Sequence, residues 1–396
     1  MKQKNNFFRT LFLLILSLFP IWQAKGQPNT DPAYYDSVEV SLLTCSPHEE
    51  VYSLYGHTAL RWHDLHKQGP LAGQDIAFNW GIFNFDKPYF VLRFVFGLTD
   101  YELGPISYGS FCAYYQGWGS SVTEQVLNLT NEEKLQLKHA LEENLQPENR
   151  IYRYNYFYDN CSLRPRNIIE KSINGEVEYA QRQDYSPSYR EMERYCTRNH
   201  PWAQFGNDML LGIRADLKTS LRGQEFLPEN LLYDFDRAKI YIDGEYRPLV
   251  KERRMAVKPG VQVIEQDFPL TPMECALILL IICLLIGVAE WKQRKIMVWW
   301  DVLLMLLQGL AGLVLFVMIF SQHPTTSINL QILLLNPLPF FFIPAVIRRK
   351  KTKWQMLLLT MIILFTIGSL FQHYAEGMLI VALSLLTRVI VHKIVK

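Results

Sequence analysis

Five apolar stretches in the C-terminal third constrain this chain more than any other feature of its sequence. Each is about as long as a helix must be to cross the hydrocarbon core of a bilayer. They lie near residues 273–289, 297–320, 328–347, 354–371 and 377–391, and the last is the shortest. Helices satisfy every backbone polar group internally, so the sequence predicts an all-α transmembrane domain of five helices over residues 271–396.

The basic residues between these stretches predict the orientation of that domain. Lys and Arg cluster after the first, third and fifth stretches, at residues 292–295, 348–353 and 393–396. The other two connections, SQHPTTS and QHYAEG, contain neither Lys nor Arg. The positive-inside rule then places those two connections outside, together with everything before the first span, and leaves the C-terminus in the cytoplasm.

The N-terminus independently predicts export. Three basic residues precede an apolar run, residues 11–21, that is too short to span a bilayer, and AKG at residues 24–26 is typical of a cleavage site. We therefore expect a signal peptide over residues 1–26, with a retained anchor as the alternative, and an exported domain over residues 27–270. The net charge is only +2, and nothing in the sequence resembles a nucleic-acid-binding surface.

The exported segment mixes strand and helix patterns, which predicts an α+β domain. Apolar alternation favours a strand over residues 36–43, residues 58–62 and 75–83 are also typical of strands, and 122–129 is typical of a strand that ends at a helix start. Thr130 and Glu133 form a capping-box pattern that begins a helix, and Asp243-Gly244 predicts a hairpin turn. The tyrosines at 152, 154, 156 and 158 are expected on one side of an extended segment. Residues 89–97 are expected to form a strand or a helix, and residues 251–270 are expected to link the domain to the membrane.

Four exported cysteines allow two interpretations. In an oxidising compartment Cys45, Cys112, Cys161 and Cys196 would pair as two disulfides. Cys161, however, lies where the aromatic segment YNYFYDN gives way to a helix with Pro165 in its first turn. A thiol at that position has its pKa lowered by the positive end of the helix dipole, and the free N–H groups there can stabilise an oxyanion. Cys161 is therefore a candidate nucleophile.

A nucleophilic cysteine needs a base, and His57 is the leading candidate. It follows Gly56 and enters a predicted strand, from which its side chain can project toward a helix end. Asn79, on the next strand, is the candidate third member that orients the imidazole, with Asp75 and Glu49 as weaker candidates. Both His57 and Asn79 are also compatible with a purely structural role. The other exported histidines, His48, His63, His66, His139 and His200, are expected at the surface or in satisfied structural positions.

Several segments together resemble the Lnb-type lipoprotein N-acyltransferase family. They are TCSPHEEVYSLYGHTALRW, FNWGIFNFD, YNYFYDNCSLRPRNII, PWAQFGNDMLLGIRADL and FLPENL, and the later SQHPTTSINLQILLLNPL is similar to the family's five-helix membrane module. By this resemblance the exported domain has a permuted papain-like (NlpC/P60-like) α+β fold, in which the histidine strand precedes the cysteine helix. Leu163 and Asn167 depart from the pattern, because a small polar residue and an aspartate are common at those places.

The resemblance implies two-step acyl transfer at the inner membrane, with the N-terminal domain in the periplasm. Cys161, deprotonated through His57 with Asn79 as third member, would take an acyl chain from a phospholipid as a thioester. The α-amino group of a diacylglyceryl apolipoprotein would then accept that chain. No metal or organic cofactor is implied. His323, in the connection SQHPTTS, is a weak candidate for contact with a head group or with the exported domain.

Two other functions remain open on the sequence. A membrane-tethered NlpC/P60-like peptidase or amidase would use Cys161 and His57 with water as acceptor, and would cleave cell-wall peptides without lipid. A non-catalytic platform for envelope assembly would hold Cys161 in a disulfide, which a thiol-specific probe detects because a disulfide-bonded cysteine does not label without reductant.

Overall fold

The computed structural model describes residues 32–66, 73–83, 88–181, 186–264 and 268–395, so the predicted signal peptide lies outside the described ranges. The strands are β1 (Val38–Cys45), β2 (His57–Asp64), β3 (Asp75–Ile82), β4 (Asp100–Ser107), β5 (Val122–Leu127), β6 (Ile151–Arg153), β7 (Glu176–Glu178), β8 (Lys239–Ile242), β9 (Glu245–Pro248) and β10 (Val250–Val257). The helices are α1 (Phe90–Val95), α2 (Tyr108–Trp118), α3 (Asn131–Asn144), α4 (Leu163–Lys171), α5 (Tyr189–Thr197), α6 (Pro201–Leu210), α7 (Leu221–Gln224), α8 (Pro228–Arg237), α9 (Pro272–Gln293), α10 (Val298–Met318), α11 (Pro339–Ile347), α12 (Trp354–Gly368) and α13 (Met378–Ile394).

An antiparallel seven-stranded sheet organises the N-terminal part, in the order β10-β5-β1-β2-β3-β4-β6. The four strands predicted from the sequence are confirmed as β1, β2, β3 and β5. β2 lies between β1 and β3, so that Cys45 faces His57 on one side and Ala59 faces Asn79 on the other. A smaller sheet, β7-β8-β9, contains the predicted hairpin, and both Asp243 and Gly244 have the positive φ that its turn requires.

The main core lies between this sheet and helix α3. Leu42 of β1 and Leu137 of α3 are both fully buried in it. The predicted capping box is present: the Thr130 hydroxyl accepts from the Glu133 N–H, and the Glu133 carboxylate accepts from the Thr130 N–H. Burial of one such leucine side chain stabilises the fold by about 1.5–3 kcal/mol, so the apolar face of α3 fixes the helix against the sheet.

Three predictions for the N-terminal part need correction or completion. Residues 250–257 are not a link to the membrane but strand β10, which pairs with β5. Every residue of β5 is buried, so its backbone needs a hydrogen-bonding partner on both sides. The four tyrosines do not share one face, because β6 ends at Arg153 and Tyr158 is exposed. The ambiguous segment 89–97 contains the short helix α1.

The C-terminal part is helical, as predicted, but its third span is not one continuous helix. The segment 328–347 consists of a 3₁₀ turn, Leu330–Leu333, followed by α11 after a break that contains Pro337. A Cβ atom at Gly312 of α10 would lie 2.2 Å from the Asn336 backbone nitrogen, so the broken segment packs directly on α10. Irregular backbone is tolerated at membrane depth where protein covers it. Within the described residues, α9 and α10 are the helices long and apolar enough to cross a membrane by themselves.

A buried ionic cluster connects α9, α10 and α13. Arg388 donates to Glu290 and to Asp301, at 2.9 and 2.8 Å, and His392 bonds to Asp301 at 2.7 Å. Arg388 and Glu290 are fully buried. Charged groups inside a membrane domain are costly unless they pair, so this cluster fixes the three helices in one arrangement.

A hydrogen-bonded seam joins the two parts of the molecule. Asn329, Gln331 and Gln372 of the membrane part donate side-chain N–H groups to the carbonyls of Met209, Asp208 and Leu211, at 2.7, 2.9 and 3.2 Å. Arg190 is 1 % exposed and bonds to Asp208 and Asp216 behind this seam. The seam therefore holds the sheet domain at a fixed position on the outer ends of the helices.

Candidate functional site

His57 is the first residue of β2, and the backbone before it requires glycine. Gly56 has φ +76°, and a Cβ atom there would lie 2.7 Å from the Cys45 carbonyl oxygen. A side chain at this position would therefore both strain the backbone and push β1 away from β2. This close approach of Gly56 to Cys45 fixes the position from which the His57 side chain projects.

Asn79 contacts the imidazole from the neighbouring strand. The His57 Nε2 atom and the Asn79 Oδ1 atom are 2.6 Å apart. Since Oδ1 can only accept, Nε2 carries the proton and donates it to Asn79. This tautomer leaves Nδ1 as the nitrogen that can exchange a proton with a thiol.

Cys161 lies in the turn immediately before α4, and its thiol is hydrogen-bonded to the His57 imidazole. The neighbouring Ser162 hydroxyl is 3.0 Å from the Thr58 hydroxyl, which fastens this turn to β2. A Cβ atom built on Gly81 would lie 3.6 Å from His57 Cε1 and 3.8 Å from the Cys161 Cβ. A side chain at Gly81 would therefore contact both His57 and Cys161.

The electrostatics of the pair favour the thiolate–imidazolium form. Burial by itself raises the pKa of the Cys161 thiol, but the His57 charge and hydrogen bonds from His57, the Thr58 N–H and Ser162 hold that pKa below its ordinary value. Burial likewise lowers the pKa of His57, and the Cys161 charge together with the bonds to Cys161 and Asn79 raises it above its ordinary value. Each group stabilises the charge on the other.

Asn160 is a site residue that the sequence prediction missed. Its Oδ1 atom accepts from the N–H groups of Ser162 and Leu163, both at 3.0 Å, and its Nδ2 atom donates to the carbonyls of Tyr156 and Phe226. The expectation that several N–H groups at the start of α4 are free for an oxyanion is therefore wrong, because Asn160 engages two of them. The available signal was an N-cap residue type directly before the cysteine.

Three tyrosines, Tyr101, Tyr152 and Tyr154, lie near enough to the thiol to interact with its charge. Tyr101 stacks on Tyr154 with ring centroids 4.1 Å apart, and Tyr152 lies under the guanidinium of Arg164. Burial first, and then the negative charge of Cys161, raise the pKa of Tyr101 above its ordinary value. The phenols therefore stay neutral at physiological pH and form an apolar wall.

The remaining predicted residues lie apart from this pair. Asp75 is bound twice by Arg61, and Glu49 faces His200, so neither replaces Asn79 beside His57. His323 lies against α1, where its Nε2 atom is 3.3 Å from the Phe94 carbonyl oxygen. Asn167 accepts from Arg166, and Leu163 is buried among apolar side chains.

Two further features concern the state of the cysteines and the arrangement of possible metal ligands. All six cysteines are free thiols in the structure, so the predicted alternative of two disulfides is not formed. Across the described ranges no group of three or more His, Cys, Asp or Glu side chains is arranged to hold a metal ion.

These features define a membrane protein whose sheet-and-helix domain presents a cysteine and a histidine beside an asparagine. Residues 27–195 match the Lnb N-terminal periplasmic domain, and residues 263–396 match the Lnb transmembrane domain. The chain belongs to the Lnb family and is an inner-membrane protein with a periplasmic N-terminal domain. That membership implies lipoprotein N-acylation. No curated protein and no solved structure matches the chain.

Proposed function

We propose that this protein is a lipoprotein N-acyltransferase that carries the acyl chain on Cys161. The observation that supports this most directly is the half-buried, hydrogen-bonded pair of Cys161 and His57, in which the pKa of the thiol is lowered and that of the imidazole is raised. A lowered thiol pKa increases the fraction of thiolate, which is the nucleophile that acyl transfer needs.

In the first step the Cys161 thiolate attacks the carbonyl carbon of a phospholipid ester. The carbon–oxygen bond of the ester breaks, and the departing glycerol oxygen takes the proton from the His57 imidazolium. The products are a thioester on Cys161 and a lysophospholipid. Among the described residues no acceptor engages the Cys161 N–H, so this group is the backbone donor available to the oxyanion.

In the second step the α-amino group of a diacylglyceryl apolipoprotein attacks the thioester carbon. The carbon–sulfur bond breaks, an amide forms, and Nδ1 of His57 takes the proton that the amine loses. This restores the thiolate and imidazolium for the next cycle. Asn79 is the positioning residue, because its bond to Nε2 holds the ring with Nδ1 toward the thiol.

The position of the domain supports a lipid donor. The Phe96 carbonyl accepts from the Gln322 N–H at 3.0 Å, so α1 is bound to the connection between the second and third membrane segments. Leu92 and Phe94 on this helix are 55 and 44 % exposed. Exposed apolar side chains at the end of a membrane-spanning segment lie where the bilayer surface is reached.

The organisation of the whole chain follows from the same proposal. The order of a histidine strand before a cysteine helix supports a permuted papain-like (NlpC/P60-like) domain over residues 27–270, followed by a membrane domain over 271–396. The alternating basic clusters support a C-terminus in the cytoplasm.

The test uses purified full-length protein, phospholipid and a synthetic diacylglyceryl-cysteine peptide. The wild-type protein should add one acyl chain to the peptide amine and release lysophospholipid, as measured by mass spectrometry. Cys161→Ser and His57→Gln should lose this product, whereas His139→Gln, which alters an exposed histidine, should keep it. Release of free fatty acid with no acylated peptide would instead favour the hydrolase, and cleavage of cell-wall peptide without lipid would identify it as a peptidase.

A further inference from the structure

A second cluster of functional groups lies beside the candidate site and has no part in the two steps above. The loop from residue 46 to residue 56 joins Cys45 to His57, and these two residues are paired across β1 and β2. The loop therefore leaves the sheet at the end that carries the catalytic imidazole. Its side chains include Glu50 and Tyr52, which face Tyr114 of helix α2.

Glu50 is held by hydroxyl groups rather than by a cation. The hydroxyls of Tyr52 and Tyr114 both donate to its Oε2 atom, the second at 3.4 Å. No residue in the described part of the chain bonds to Oε1, and none forms an ion pair with Glu50. A half-buried carboxylate that keeps one oxygen open and lacks a positive partner is suited to receive a cation from outside.

The side chains packed around Glu50 are largely aromatic. His48 stacks on Trp118 with ring centroids 4.6 Å apart and lies edge-on to Tyr114 at 5.9 Å. Burial, and next the charge of His57, lower the pKa of His48 to about 4, so this imidazole is neutral at physiological pH and does not neutralise Glu50. Aromatic faces around a carboxylate attract an ammonium group through their ring quadrupoles as well as through charge.

Aromatic contacts connect this cluster with the wall around the thiol. Tyr52 contacts Phe83 at 5.7 Å between ring centroids, Phe83 contacts Tyr101 at 4.9 Å, and Tyr101 stacks on Tyr154. These ring contacts form a continuous aromatic path from Glu50 to the tyrosines near Cys161.

We propose that Glu50, Tyr52 and Tyr114 form a subsite for a primary ammonium group of the substrates. This inference rests on the proposed acyl transfer, in which two groups have that chemistry: the ethanolamine head group of a donor phospholipid and the α-amino group of the acceptor. The head group fits better, because a carboxylate keeps its partner protonated and a protonated amine is no nucleophile. The ammonium group of a donor head group stays protonated throughout the reaction, so it does not have to lose a proton while Glu50 holds it.

The binding test uses full-length Cys161→Ser protein, so that no reaction occurs. Its affinity for dihexanoyl-phosphatidylethanolamine is compared with that for dihexanoyl-phosphatidylglycerol, which lacks the ammonium. Adding Glu50→Gln, which preserves the shape and the acceptor oxygen, should weaken binding of the ethanolamine lipid about tenfold and leave the glycerol lipid unchanged. The matched control is Glu245→Gln, an exposed acid on β9. If Glu50→Gln and Glu245→Gln bind the ethanolamine lipid with equal affinity, the proposal is overturned.

The two half-reactions then identify the source of the ammonium group. In otherwise wild-type protein, Glu50→Gln should slow formation of the acyl-enzyme from the ethanolamine lipid if the subsite holds the donor. It should slow only transfer from preformed acyl-enzyme to lipopeptide if the subsite holds the acceptor. Unchanged rates in both half-reactions, with unchanged binding, would exclude the subsite. If the wild-type protein forms no acyl-enzyme, the proposed function fails, while the binding comparison still decides the role of Glu50.

Discussion

Replacing Asn160 with alanine removes four hydrogen bonds from the turn that holds Cys161. The side chain is 3 % exposed and bonds to two N–H groups and two carbonyls of the backbone, at 2.8 to 3.0 Å. At roughly 0.5–1 kcal/mol of net stabilisation for each bond, the variant should lower the free energy of local opening at the start of α4 by about 2–4 kcal/mol.

Hydrogen exchange of the full-length protein measures this change locally. Because each 1.4 kcal/mol corresponds to about a factor of ten, the amides of Ser162 and Leu163 should exchange about 30 to 1,000 times faster in Asn160→Ala. Asn149→Ala is the matched control, since Asn149 is exposed and its side-chain amide donates to one carbonyl, that of Glu143. Equal exchange of the Ser162–Leu163 peptide in both variants would show that Asn160 does not hold the turn.

Three further predictions concern charge. In His57→Gln, the effect of burial on the thiol remains but the compensating imidazolium is gone, so the pKa of Cys161 should rise above its ordinary value. The pH midpoint of iodoacetamide alkylation should then move up. An unmoved midpoint would contradict the ion pair. In the wild-type protein, stabilisation by the Cys161–His57 pair is lost as the pH falls through the lowered pKa of Cys161. It is also lost as the pH rises through the raised pKa of His57. The melting temperature should therefore be highest at a pH between these two pKa values. Arg190→Met leaves Asp208 and Asp216 without their buried cation and should cost about 3–5 kcal/mol. Arg253→Met, at an exposed residue, should cost under about 1 kcal/mol of stability. A similar loss of thermal stability in Arg190→Met and Arg253→Met would refute the buried network.

The parts of the fold that the sequence predicted are those with a local periodic signal. The start of β1 alternates apolar and polar residues, β3 has large apolar side chains at every second position, and the cap of α3 depends on residues three apart. Strand β10 was missed because Lys251, Glu252, Arg253 and Arg254 make it resemble a charged linker. An edge strand needs few buried side chains, so its identity depends on pairing with β5 rather than on its own pattern.

The break in the third membrane segment was hidden for a related reason. Apolar composition predicts burial in the bilayer, whereas continuity of the helix depends on where Pro337 and Pro339 fall and on what covers the freed backbone. Gly312 of α10 provides that cover at Asn336, a contact that no pattern within 328–347 contains.

The candidate site divides in the same way. Cys161, His57 and Asn79 were selected by residue type and order, and the structure places them together. The role of Asn160 depends on the Phe226 carbonyl, 66 positions away in the chain, and that of Glu50 on Tyr114. Such contacts arise only when distant elements meet, so sequence order alone does not indicate them.

The central claim is that Cys161 carries the acyl chain, and intact-mass analysis tests it most directly. Full-length wild-type, Cys161→Ser and Cys112→Ser proteins are incubated with phospholipid and no acceptor. Wild-type and Cys112→Ser proteins should each gain the mass of one acyl chain, lost again on treatment with hydroxylamine, while Cys161→Ser should gain none. A gain of the same size in Cys161→Ser, or phospholipid turnover with no mass gain in the wild type, would contradict the thioester account.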